Sequence, residues 1–74
     1  MNAPLKLNEA KVGMWVSINT KDAPYRFFKH LHGCQGQIES IERKIDRVQV
    51  RVTDKNLNVS WIFISPELLL RRFL

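Results

Sequence analysis

Short alternating runs, separated by polar and turn-forming residues, set the pattern of this chain. Val12, Met14, Val16 and Ile18 alternate with Gly13, Trp15 and Ser17, which predicts a first strand with one apolar face. Gln37 to Ile41 reads as a second strand running toward Arg43. Arg47 to Thr53 reads as a third, with Val48, Val50 and Val52 on one side. The charged link Glu42 to Asp46 is a hairpin end, and Asp54-Lys55-Asn56 is a turn leading into a fourth strand over Asn58 to Ile64. Ser65-Pro66-Glu67-Leu68 predicts a single helical turn, with Ser65 as N-cap and Pro66 at the first helical position. Leu70 to Phe73 returns as a short fifth strand. Residues 1–10, with Asn2, Pro4 and Asn8, read as an N-terminal arm, leaving 11–74 as the domain proper.

Between the first two strands the period changes. Asp22 is a candidate N-cap, Pro24 sits in the first turn, and Gly33 supplies a left-handed stop. Phe27, Phe28 and Leu31 then share one side, with Tyr25 on the flank. This predicts a short inserted helix of two turns, with an irregular basic-aromatic loop as the alternative.

Five short strands with a helical turn before the last describe a mainly β fold, a small SH3-like barrel. Gly33-Cys34-Gln35-Gly36-Gln37-Ile38-Glu39-Ser40-Ile41 follows the spacing G-x-x-G-x-[V/I]-x-x-[I/V], and Val12-Gly13-Met14-Trp15-Val16-Ser17-Ile18 precedes it. Together these segments resemble the KOW motif of SH3-like barrels in transcription-elongation factors and ribosomal proteins. The resemblance continues through Val48-Gln49-Val50 and Ile64-Ser65-Pro66-Glu67-Leu68 and so covers residues 12 to 72. Lys21 to His32 departs from it, being longer than the loop usual for the motif. Gly33 and Gly36 are the expected structural turn positions, Gly36 taking a backbone shape that a side chain forbids. The uneven spacing from Ile38 to Ile41 predicts a bulge that lets a small sheet close. Similar barrels also serve as adaptor subunits in redox assemblies, so the fold alone leaves the task open.

Composition narrows the choice of task. The chain has 74 residues, with 12 Lys and Arg against 7 Asp and Glu for a net charge of +5, and 45% hydrophobic residues. That length forms one domain with little core to spare for a walled-off catalytic pocket. The basic balance favours an acidic partner, of which nucleic acid is the commonest, although +5 also falls within what solubility alone requires. Cys34 has no cysteine to pair with, the N-terminus lacks a signal-peptide pattern, and the longest apolar runs, Trp61 to Ile64 and Leu68 to Leu70, fall far short of a membrane span. The expectation is a soluble cytoplasmic protein.

The candidate contact surface follows from the pleat. If Val48, Val50 and Val52 point inward, then Arg47, Gln49 and Arg51 point outward. On the next strand Ile62 and Ile64 are the better inward pair, which leaves Trp61 and Phe63 facing out beside Arg51 and Gln49. Aromatic rings next to an arginine suit base stacking or the anchoring of a protein partner. Two other arrangements satisfy the same pattern: rings covered by the arm or the inserted helix, or an inverted pleat with the rings inside. Tyr25, Arg26 and Lys29 form a second basic-aromatic patch. The cluster Arg43, Lys44 and Arg47 is interleaved with Glu39, Glu42 and Asp46, as in a solvated turn.

Other chemistry finds less support. His30, His32 and Cys34 are side chains that zinc accepts, but no fourth ligand stands at a usual spacing, and structural sites need four. No third group orients His32 toward Cys34 for nucleophilic catalysis, and no H-E-x-x-H, Walker or G-x-S-x-G pattern occurs. The expectation is therefore no enzyme, no metal, no cofactor and no small-molecule substrate. What the KOW resemblance implies is a binding module of the transcription or translation machinery that contacts RNA, RNA polymerase or ribosomal components. The alternative is a protein–protein adaptor of a larger complex without nucleic-acid affinity.

Overall fold

The computed structural model describes residues 4–20 and 28–72. Within them the alternating runs become five strands: β1 (Trp15–Ile18), β2 (Gln35–Glu42), β3 (Arg47–Thr53), β4 (Val59–Ile64) and β5 (Leu69–Arg71). They form one antiparallel sheet in the order β4-β3-β2-β1-β5. One face carries the core: Val16, Ile18, Ile38, Val48, Val50, Val52, Ile62, Ile64 and Leu69 are all buried, as the period-2 pattern requires. Each is a β-branched or leucine side chain packed on a pleated surface, where such shapes fit well.

The β2–β3 register shifts between Ile38 and Ser40, so Glu39 is the extra residue of a bulge. The bulge reconciles the three-residue step from Ile38 to Ile41 with a strand that still buries Ile38. Two tight connections join the long strands. A 3₁₀ turn, Arg43–Ile45, ends at Asp46 with φ 55, and Arg47 folds back to donate to the carbonyls of Ile45 and Asp46. At the other end the Asp54 carboxylate accepts from the amides of Asn56 and Asn58 at 2.8 and 2.9 Å, an Asx-type turn. Pro66 opens the expected turn before β5, a 3₁₀ turn over Pro66–Leu68 closed by Leu68 N–H to the Ser65 carbonyl; the Ser65 side chain makes no capping bond.

Several expectations are corrected. The two-turn helix does not run through residue 28. Phe28 has φ 68, which an α-helix cannot accommodate, and only a single 3₁₀ turn, Lys29–Leu31, follows. Leu31 is nonetheless buried and Phe28 packs against the core, so the apolar side of this segment docks without a helix. Tyr25 and Arg26 lie outside the described residues. β1 starts at Trp15 rather than Val12, because Gly13 turns the chain at φ 91, and Val12 is exposed. β2 begins two residues earlier than expected, at Gln35, and β5 starts one residue earlier, at Leu69, and ends at Arg71. The arm contributes to the core through Leu5 and Ala10, and Leu5 N–H donates to the Leu69 carbonyl at 2.9 Å.

The two glycines also separate. Gly33 has φ 83, the left-handed geometry expected of a stop. Gly36 is not a turn residue. It lies within β2, opposite Val16 and Val52, and what it lacks is room: an added Cβ would sit 2.5 Å from Val50 Cγ1 and 3.1 Å from the Arg51 carbonyl oxygen. Val50 is a fully buried β-branched residue and the carbonyl is backbone, so neither yields easily. Gly36→Ala is expected to destabilise the fold by about 1–3 kcal/mol, the usual cost of overpacking, read from the midpoint of urea unfolding.

Candidate binding face

The solvent side of the sheet is organised by one row of side chains. Trp15 on β1 stands opposite Gln37 on β2, Gln37 opposite Arg51 on β3, and Arg51 opposite Trp61 on β4. Directly opposed residues in antiparallel strands project to the same side, so the row places a tryptophan at each end of a strip about 14 Å long. Phe63 follows two positions after Trp61 on the same face, opposite Gln49. Trp61 is 57% exposed, Phe63 51% and Trp15 38%, whereas their neighbours Val16, Ile62 and Ile64 are buried. Of the three arrangements open to β4, the one with the rings outward is the one formed.

Between the tryptophans the polar groups satisfy one another. The Trp61 indole N–H donates to the Glu39 carboxylate at 3.1 Å, and the other Glu39 oxygen lies 3.6 Å from Arg51 Nε. Arg51 Nη2 reaches Gln37 Oε1 at 3.4 Å, and the Gln37 amide donates to the Gly13 carbonyl at 3.0 Å. The bulge explains why Glu39 can do this, because it adds a residue to β2 beside the row. Both charges are well exposed, so the pair contributes little to stability. Its effect is on orientation and charge: the indole is held by its N–H, and the guanidinium is answered by a carboxylate.

At its β1 end the face runs into a groove of about 760 Å³. Gln35 and Thr53, an opposed pair on β2 and β3, are among its lining residues. Trp15, His30 and Cys34 also line it, together with the Asp54–Leu57 turn. His32, also at the groove, has a structural role: its Nδ1 accepts the Thr20 amide at 3.0 Å. That bond ties the segment after Phe28 to the end of β1. No three His, Cys, Asp or Glu side chains converge in a metal-holding geometry among the described residues. Also among the described residues, no helix is long and apolar enough to cross a membrane.

Compared with known proteins, the chain matches no family model, no curated protein and no solved structure. The site therefore stands on its own geometry. Of the residues proposed from the sequence, Arg51, Trp61 and Phe63 come together on the outer face. Arg47 lies further along β3, opposite Glu42, with its guanidinium turned onto its own hairpin. Lys29 is exposed on the 3₁₀ turn beside the groove residue His30. Trp15, Gln37 and Glu39 were not among the proposed site residues. Trp15 carries a signal in the alternation, since it falls between Gly13 and Ser17 on the outward side of β1. Glu39 carries one only once the bulge is placed.

Proposed function

We propose that the chain is a non-enzymatic binding module of the transcription or translation apparatus. It is built as an SH3-like barrel, and its outer sheet face docks a protein surface such as that of a polymerase or a ribosomal protein. The observation that carries this reading is the row from Trp15 to Trp61, with Phe63 beside it. Exposed tryptophan and phenylalanine on a rigid sheet are the residue types that anchor protein interfaces. An RNA backbone needs uncompensated positive charge, and here the one cation of the row, Arg51, faces Glu39 and Gln37. The barrel form is supported by the β2 bulge, by the 3₁₀ turn before β5 and by the pairing of Pro4 with Leu70 beyond it. The KOW resemblance selects the apparatus; a similar face would also suit an adaptor subunit of another complex.

The test is capture from an extract of the cells that make the protein, with and without nuclease and over a range of salt. The expected result is a protein partner retained after nuclease treatment, with affinity that changes little between low and moderate salt. RNA binding gives the opposite result. Capture would be abolished by nuclease, and four phosphate contacts would give a log–log salt slope near −3.6, roughly a hundredfold loss between 50 and 200 mM. That outcome overturns the protein-docking reading and restores the nucleic-acid one.

A further inference from the structure

The two edges of the sheet are unlike. On the outer side of β5 the chain itself supplies a partner: Pro4 bridges to Leu70, and Leu5 N–H donates to the Leu69 carbonyl. β4 forms the other edge, and no described residue pairs with it there. The side of each β4 amide follows from the ladder. Asp54 N–H donates to the Asn58 carbonyl, and hydrogen-bonded pairs alternate along an antiparallel ladder. Ser60, Ile62 and Ile64 therefore bond to β3, while the amides and carbonyls of Val59, Trp61 and Phe63 point to the open edge. Those same three residues carry the exposed apolar side chains of the strand.

Open edges in soluble proteins are usually blunted by charge, by proline, by a bulge or by a cover. β4, Val-Ser-Trp-Ile-Phe-Ile, has no charge and no proline, and its register with β3 is unbroken over six residues. Its outward pattern, aliphatic or aromatic at every second position about a central tryptophan, reads alike in both directions. A strand of that kind is complemented by itself.

We propose that two copies of this chain pair through β4, antiparallel about a two-fold axis at Trp61, to make one continuous sheet. In that register Trp61 lies opposite its counterpart and Val59 opposite Phe63, so every open amide of both edges meets a carbonyl. About six new backbone hydrogen bonds result, two for each hydrogen-bonded pair. Apolar side chains meet apolar ones at all three positions. Registers centred on Ser60 or Ile62 leave one of the three open residues on each copy unmatched. The pairing is independent of the docking reading, because it uses the in-plane backbone of β4 and leaves the rings on the solvent face.

Sedimentation equilibrium of the purified chain, with no other partner present, tests this. The expected result is a weight-average mass that rises with concentration from one chain to two and no further. Val59→Pro removes an edge-facing N–H without touching the ladder to β3, and by symmetry removes two bonds from the pair. It is expected to weaken association by roughly tenfold or more, while Val59→Thr, which keeps the amide, stays within about threefold. Hydrogen exchange of the wild type supplies a readout that needs no variant: the Trp61 and Phe63 amides become protected as concentration rises. A one-chain mass up to millimolar concentration, or a dimer in which these two amides exchange freely, overturns the proposal. So does a folded Val59→Pro variant that associates as tightly as the wild type.

Discussion

Ile64→Ala is expected to destabilise the domain by about 2–5 kcal/mol, the range found when a buried isoleucine is cut back to its Cβ. Ile64 is 1% exposed, pairs with the fully buried Val48, and directly precedes the Ser65–Pro66 turn that starts the return to β5. The surroundings have little freedom to collapse into the space, since the adjoining valines are β-branched and held in the β3 ladder. At about 0.05–0.15 kcal/mol per residue, a domain of this length has roughly 4–11 kcal/mol in all, so the variant stands near the edge of folding. Urea unfolding followed by circular dichroism measures the change. A loss below about 0.5 kcal/mol would mean that Ile64 is not a core residue and that the pleat of β4 is inverted.

Three residues earlier the expectation reverses. Trp61→Ala removes a larger side chain but one that is mostly in water, held by a single indole N–H bond to Glu39. Folding stability is expected to change by less than about 1 kcal/mol. Affinity for the captured protein partner is expected to fall by about 2 kcal/mol or more, near thirtyfold, which is the behaviour of an interface hot spot. Calorimetric titration of the partner with both forms gives the ratio. Unchanged affinity with an intact fold would remove Trp61 from the interface and with it the argument for the outer face.

The alternation of Val48, Val50 and Val52 with Ile62 and Ile64 shows in sequence that Trp61 and Phe63 share one side of β4, but it fits covered or inward rings equally well; the fold decides, because the isoleucines take the core and the rings stay exposed. The bulge was legible too, from the odd step between Ile38 and Ile41. Other features depend on contacts that alternation does not encode. Gly36 is needed because Val50, on the neighbouring strand, occupies the space a Cβ would take. The inserted helix gives way to a 3₁₀ turn because one residue, Phe28, adopts a positive φ, and helical spacing carries no trace of that. The alignment of Trp15 and Trp61 at the two ends of one row requires the register of three ladders at once, and a single slip would break it. Glu39 reads in sequence as one of several acids diluting a basic cluster; only the fold shows it gripping both the indole and the guanidinium.

The contact of Pro4 and Leu5 with β5 has a consequence for how far strand pairing can extend. A sheet open at both borders could add chains head to tail without limit and grow into fibres. Here Pro4 and Leu5 already occupy the β5 border, so the proposed addition at β4 would exhaust the available edges after a single step. In that pairing, a few residues ahead of the first strand would act as a chain terminator for assembly.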